Sequence, residues 1–245
     1  MLHLPAPWSA VVFGASGGIG AAVADILAQG AGVEHVFTGS RNPGAASGEV
    51  IPFAFDLTDE ASIAAAAETV KQHGGTPRLI FIATGILHDG AQIQPEKSYR
   101  QQSAENYAHM FTVNATGPAL IGKHFLPLMP RSGRTIFAAV SAKVGSISDN
   151  RMGGWHAYRA SKAALNMIVR NFAIEQSRTN AEAFAVTLHP GTVDTALSQP
   201  FQRGVPDGKL FTSQFSAASM LTVLSGLQEG DSGKMFAWDG TEIAY

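Results

Sequence analysis

Tyr158 and Lys162 stand four residues apart, a spacing that puts both side chains on one face of a helix within mutual reach. A phenol titrates near pH ~10, too high for ready proton exchange at neutral pH, and a neighbouring ammonium favours the phenolate and draws that value down. The pair is a candidate general acid/base. An exposed Tyr/Lys pair on an amphipathic helix would show the same spacing, so the rest of the chain must decide between the two readings. Upstream lies Gly14-Ala-Ser-Gly-Gly18-Ile-Gly20, running into an Ala-rich stretch. Glycines let the main chain approach a pyrophosphate closely, and the amides of the following helix N-terminus meet its charge. A strand, a glycine turn and a helix in that order predict dinucleotide binding.

These groups need a scaffold. Apolar runs at 10–13, 35–38, 50–55, 79–83, 134–140, 183–189 and 234–238 alternate with helical stretches at 18–30, 59–73, 103–128, 157–178 and 214–228. The alternation predicts an α/β fold: one Rossmann domain over 1–245, with a doubly wound parallel sheet of about seven strands and helices on both faces. The strands are apolar without strict alternation, as expected when both faces are covered. Two Gly/Pro-bearing stretches, 141–155 and 198–212, break the rhythm after strand ends, where such sheets form their ligand crevice.

Composition narrows the field further. The 245 residues carry 17 Lys+Arg against 19 Asp+Glu, are 45% hydrophobic and include no cysteine. Near-neutral charge without a basic stripe argues against nucleic acid and anionic membranes as partners. The lack of Cys removes disulfides, thiolate metal sites and a cysteine nucleophile. The first ten residues have no signal-peptide pattern, and no apolar window reaches the roughly 18 to 20 residues of a membrane span. A cytoplasmic protein is expected. Histidines at 88, 109, 124, 156 and 189 lack ligand spacing, so no metal site is expected.

The spacing of Gly14, Gly18 and Gly20, with Asp56-Leu-Thr58, Asn114, Tyr158-Arg-Ala-Ser-Lys162 and Pro190-Gly191 followed by Val193 and Thr195, resembles the short-chain dehydrogenase/reductase superfamily over nearly the whole chain. Within it, Ser-Ala-Lys-Val-Gly-Ser-Ile-Ser-Asp-Asn at 141–150 and Tyr-Arg-Ala-Ser-Lys-Ala-Ala-Leu-Asn at 158–166 look similar to the C-factor and Sniffer-like carbonyl reductases. The resemblance implies an NADP(H)-dependent oxidoreductase acting on a small carbonyl or alcohol substrate, with Tyr158 protonating the carbonyl oxygen as the nicotinamide delivers hydride. Lys162 would lower the tyrosine pKa and bind the nicotinamide ribose. Asn114 would hold a water that relays protons from Lys162; a local kink before Pro118 is the other reading of that asparagine. Gly14, Ser16, Gly18, Ile19, Gly20, Ala83, Gly85, Pro190, Gly191, Val193 and Thr195 would line the cofactor.

The chain departs from the family pattern in three places. Family members commonly show Ser-x-x-Gly; a gap-free match to Gly145 puts Ala142 at the serine position. Ser141, one residue early, would take the role if a bulge ended its strand, or it is an ordinary strand-end hydroxyl. Ile82-Ala-Thr-Gly85 replaces the frequent Asn-Asn-Ala-Gly, and Phe13 replaces a threonine, which questions a hydrogen bond between the first and fourth strands. After the second strand no acid is present to hold a ribose diol. Ser40 and Arg41 offer a hydroxyl and a forked cation instead, which suit a 2'-phosphate and predict NADPH over NADH. Asp56 and Leu57 resemble the adenine contact, although Asp56 could equally cap the following helix.

A lid over 196–212, bearing Leu197, Phe201, Val205, Leu210 and Phe211, with Met152, Trp155 and His156 opposite, suits a hydrophobic aldehyde or ketone. Ala160, Ala163 and Ala164 would allow helices to pack closely in a homodimer or homotetramer, or be buried within the monomer. A dinucleotide-binding signalling or redox-sensing protein of the C-factor type is the alternative function.

Overall fold

The computed structural model describes residues 2–90 and 93–245. Seven parallel strands form its centre: β1 (Trp8–Phe13), β2 (Val33–Ser40), β3 (Val50–Ala54), β4 (Pro77–Ile82), β5 (Thr135–Val140), β6 (Ala183–His189) and β9 (Met235–Ala237). They run in the order β3-β2-β1-β4-β5-β6-β9, and a short antiparallel strand, β10 (Glu242–Ile243), adds to β9. The sheet thus has eight strands, one more than the sequence predicts and not all parallel. A two-residue strand carries too little pattern to read. A separate parallel ribbon pairs β7 (Thr192–Val193) with β8 (Leu210–Phe211) and ties together the two ends of the predicted lid.

Connections lead away from β1 in opposite directions, to β2 on one side and, by way of β3, to β4 on the other. Loops at the carboxyl ends of β1 and β4 therefore diverge and leave a crevice between them. One face of the sheet is covered by α1 (Gly18–Ala28) and α6 (Ser213–Gly226). The other is covered by α2 (Glu60–Gln72), α4 (Gly117–Phe125) and α5 (His156–Ser177). Both layers are continuous apolar clusters, and burial of this area is the main driving force for the fold. Local signals set the helix starts. Asp59 accepts from the Ala61 amide at 2.9 Å, Ser103 from Asn106 at 3.1 Å and Thr212 from Phe215 at 3.1 Å, each satisfying an otherwise orphaned first-turn donor.

Phe13 sits edge-on to Phe53, Phe55 and Phe125 with ring centroids 5.6, 5.0 and 4.9 Å away, and Ile82 lies buried in the same layer. The first and fourth strands stay joined past this point by the Ala83 amide, which donates to the Phe13 carbonyl at 2.9 Å. Aromatic packing and the main chain thus cover the loss of the family's polar residues.

The stretch 103–128, expected as one helix, is four pieces: α3 (Ala104–Phe111), a π turn (Thr112–Thr116), α4 and a 3₁₀ turn (Leu126–Leu128). Pro118 has no N–H to offer the carbonyl of Asn114 four residues before it, and its ring crowds that carbonyl. The turn widens, and Gly117 donates to Thr112 instead. A π turn inside a helix often marks a functional site. No helix among the described residues is long and apolar enough to cross a membrane.

Candidate active site

Asn114 occupies the middle of the π turn and is fully buried. Its Oδ1 accepts from the Ile86 amide and its Nδ2 donates to the Ile86 carbonyl, both at 2.9 Å, while Nδ2 also reaches Ser161 Oγ at 3.1 Å. The side chain therefore clamps the loop after β4 to α5. Lys162, 3% exposed, donates from Nζ to the Val140 carbonyl at 3.0 Å. A Cβ built on Gly85 would lie 3.2 Å from both Asn114 Oδ1 and Lys162 Nζ. Asn114, Gly85 and Lys162 thus converge, and only glycine leaves that space open.

Tyr158 is 7% exposed, and Lys162 Nζ lies 6.0 Å from its ring centre. The expected lowering of the phenol by the ammonium is not found: burial pushes Tyr158 up instead. Burial also pulls Lys162 down to about 8, because a charge is costly to hold away from water. Tyr158 thus stands as a neutral phenol at neutral pH and holds its proton more firmly than a free tyrosine does.

Around Tyr158, Leu87, Met110 and Ala157 form a small apolar cluster joined by Ala142, Trp155, Leu197 and Phe201. Ser141 is elsewhere. No bulge interrupts the pairing of β5 with β6, and the Ser141 hydroxyl, 2% exposed, donates to Asn166 Oδ1 at 2.8 Å. Asn166 lies eight residues beyond Tyr158, about 12 Å further along the helix axis. Strand alternation explains it, since Phe137, Ala139 and Ser141 share the face covered by α5. Ala142, at the serine position of the gap-free match, packs against the Tyr158 cluster. Ser146 and Ser148 are committed within their own loop and to the chain end, where Ser146 donates to the Ala244 carbonyl and the Ser148 amide to that of Tyr245.

At the other end of the crevice, Gly14 has φ +83°, and a Cβ on Gly20 would meet the Gly14 carbonyl at 2.2 Å. Both positions require glycine. Ser16 and Gly18 are exposed and Ile19 half-buried at the start of α1, which has no side-chain cap and no acid in its first turn. Its first amides thus have no side-chain acceptor, the state in which a helix start can take an anion. Thr195 and Ser213 flank Gly18, so the base of the lid adjoins the glycine turn. Ala83 backs Gly14, and beside it the buried Thr84 Oγ1 has no partner, a position that sequence reasoning missed. Nothing in the residue type alone signals it.

Ser40 is buried at the end of β2 and Arg41 exposed just beyond it. Asp56 accepts from the Thr58 amide at 2.8 Å and its hydroxyl at 2.7 Å. These bonds, with a smaller pull from Arg41, hold its carboxyl below the usual range. Asp59, not Asp56, caps α2. Leu57 is buried in the core, where a Cβ on Gly117 would lie 2.3 Å from its Cγ. Pro190 accepts from Ser216 Oγ at 2.8 Å, and Val193 is buried. Gly191, at φ +77°, leaves room for Phe211.

The lid divides into two parts. Leu197 and Phe201 turn toward Tyr158, with Phe201 5.2 Å from Trp155 and 5.8 Å from His88 between ring centres. Phe211 packs on Trp238 and Phe215 instead, at 4.6 and 4.8 Å, and Leu210 is exposed. Met152, expected in the opposite wall, is 90% exposed; a long apolar side chain at a loop tip has no neighbour to bury it.

Residues 9–205 match the family model described as short chain dehydrogenase. The chain is 38% identical over 139 residues to the C-signal of Myxococcus xanthus, covering 56% of this chain and 78% of that one. An NADPH-bound carbonyl reductase from chicken fatty liver superposes with a TM-score of 0.84 at 28% identity, covering 100% of this chain and 96% of its own. The carbonyl reductase Sniffer of D. melanogaster shares the fold, with a TM-score of 0.82 at 21% identity over 98% of this chain and 100% of its own.

Proposed function

The chain belongs to the short-chain dehydrogenase family of oxidoreductases, and from that membership we propose that it is an NADPH-dependent carbonyl reductase with Tyr158 as its general acid. The observation that carries the reading is the convergence of Tyr158, Lys162 and Asn114 in one buried corner, at the opposite end of the crevice from a glycine turn whose first helix amides are uncapped.

The residues present fit a nicotinamide dinucleotide. Gly14, Gly18 and Gly20 form a cradle that side chains would fill, and the partnerless Thr84 hydroxyl lies beside it. The turn with Ser16 and Ile19 would take the pyrophosphate, and Ser40 and Arg41 the 2'-phosphate. Asp56 would take the adenine amine, leaving Leu57 to the core beneath. Ala83, Gly85, Pro190, Gly191, Val193 and Thr195 would line the nicotinamide half. When bound, the cofactor supplies hydride.

The chain's own groups do the rest. Tyr158 donates its phenolic proton to the substrate oxygen as negative charge develops there. Lys162, with a pKa near neutrality, is suited to return that proton, and Asn114 fixes the loop that borders both. Leu197, Phe201 and Trp155 exclude water and suit a hydrophobic aldehyde or ketone. Ser141 has no part in this chemistry; it holds Asn166.

The test is NADPH oxidation across a panel of apolar aldehydes and ketones, with wild type and Tyr158→Phe side by side. Turnover that drops about 10²- to 10⁴-fold in the variant, with NADPH affinity within twofold, is expected of a lost general acid. Equal turnover in both would refute the assignment. Ala142 at the serine position, together with the likeness to the C-signal, favours a second reading: a dinucleotide-binding signalling protein with incidental turnover. Tight NADPH binding without reduction of any panel member would select it.

A further inference from the structure

Helix α5 carries Tyr158 in its first turn, yet its sequence supplies nothing to start it. The residue at its cap is Trp155, with no side-chain hydrogen bond to the first-turn amides and no acid in that turn. Trp155 also has φ 49° and ψ 44°, a left-handed conformation that is strained for a bulky side chain and persists only where surrounding structure enforces it.

The missing partner comes from the loop before α3. Glu96 is 3% exposed, a rare state for a glutamate. Its main-chain carbonyl accepts the Trp155 amide, and its Oε2 accepts the Ala157 amide at 3.3 Å. Its Oε1 accepts from Nδ2 of Asn106 in the first turn of α3. One residue therefore enforces the strained cap, satisfies a first-turn donor of α5 and ties α5 to α3. Helix α3 leads directly into the π turn that presents Asn114, which binds Ser161 of α5 one turn further on. The Trp155 ring stands 6.1 Å from the Tyr158 ring.

We propose that Glu96 is a positioning residue for Tyr158: it supplies, from the loop before α3, the cap that α5 lacks and sets the phenol in register with Asn114 and the lid. The proposal rests on the reading of Tyr158 as the acid.

The test compares Glu96→Ala, Glu96→Asp and Glu96→Gln with wild type and Tyr158→Phe in the full chain. It measures kcat and KM for the best carbonyl substrate, NADPH affinity by nicotinamide fluorescence, and the melting temperature. A displacement of about 1 Å at a reacting group can lower the rate about 100-fold, so Glu96→Ala should lose tenfold or more in kcat with NADPH affinity within twofold. Glu96→Gln should recover most of that loss. Its amide oxygen can accept from Ala157 and its NH₂ can donate to Asn106 Oδ1, which has no partner at present. Glu96→Asp, too short to reach both helices, should lose several-fold in kcat and decides the matter if the alanine variant does not fold. Wild-type kcat in the aspartate variant, an equal loss in the glutamine and alanine variants, or a parallel loss of NADPH affinity would each overturn the proposal. Normal turnover of Tyr158→Phe would instead sink the reading beneath it.

Discussion

The two ends of the crevice are built by opposite means. At one end Tyr158, Lys162 and Asn114 are each more than nine-tenths buried, and Lys162 and Asn114 are held by hydrogen bonds to the Val140 and Ile86 main chain. At the other end Ser16, Arg41 and Asp56 are exposed, and the essential residues are glycines whose contribution is the absence of a side chain. A proton moves only between groups held to within a fraction of an ångström, so that end needs a rigid, dry setting. A pyrophosphate and a 2'-phosphate remain hydrated and can be met by main-chain amides and a mobile cation. Burial makes the first end costly to assemble, and exposure makes the second sensitive to salt. Each difference can be tested.

After Tyr158→Phe, the largest effect is expected of Lys162→Met. Turnover should fall about 100-fold, within the range for loss of an acid/base partner, while the fold gains stability at pH 7. Burial lowers the Lys162 ammonium from 10.5 to about 8, a cost of about 3 kcal/mol for keeping it charged. Losing its hydrogen bond to Val140 takes back about 1 kcal/mol. The remaining gain of about 2 kcal/mol corresponds to roughly 5 °C for a chain of this size. Above pH ~8 the folded chain sheds the Lys162 proton while the unfolded chain holds it to about 10.4, so wild-type stability climbs through that window. The variant's advantage should therefore shrink from pH 8 to 10. Melting curves at pH 7, 9 and 10 read this directly, and a lower melting temperature for the variant at pH 7 would mean that the site is not the costly one described.

Both ends were partly legible in the chain, for different reasons. Gly14 and Gly20 could be read because steric limits dictate glycine there whatever the rest of the fold does. Tyr158 and Lys162 could be read because a spacing of four has meaning on any helix. Glu96 could not, since its burial arises only when the loop before α3 closes over α5. The π turn was hidden for a related reason: periodicity continues across 103–128, and only the missing amide of Pro118 hinted that the ladder opens at Asn114. Ser141 was legible, but the bulge that would turn it to the site is absent. Its place on the Phe137 and Ala139 face of β5 directs it to Asn166, about two turns beyond Tyr158 on α5.

The residue at the serine position supplies the next experiment. Ala142 packs against the cluster around Tyr158, so on the proposed function the buried end has one fewer donor for the substrate oxygen than the family pattern provides. Ala142 is half-buried, which leaves room for a single added oxygen. Ala142→Ser should raise kcat by several-fold, up to about tenfold for one added hydrogen bond of about 1.4 kcal/mol formed in the transition state. Unchanged KM with raised kcat would place the gain in the chemical step, and a fall in kcat would show that Tyr158 alone already satisfies the oxygen.

Arg41 is the corresponding probe of the open end, where the effect falls on binding rather than on turnover. An exposed guanidinium gains little from a charged partner because water screens the pair, but a forked contact to a phosphate monoester retains more. Arg41→Ala should weaken NADPH binding by about tenfold, about 1.4 kcal/mol, and leave NADH binding within twofold, as read by titrating each into the protein and following nicotinamide fluorescence. Salt sharpens the contrast. The screening length falls from about 10 Å at 0.1 M to about 3 Å at 1 M, so the wild-type preference for NADPH should narrow as salt rises while that of the variant stays flat. The kcat effect of Tyr158→Phe, set in a buried corner, should not respond to the same change. Equal weakening of NADPH and NADH by the Arg41 substitution would show that the guanidinium acts on something other than the 2'-phosphate. A salt-independent preference in wild type would move the discriminating group away from the exposed end, toward buried Ser40.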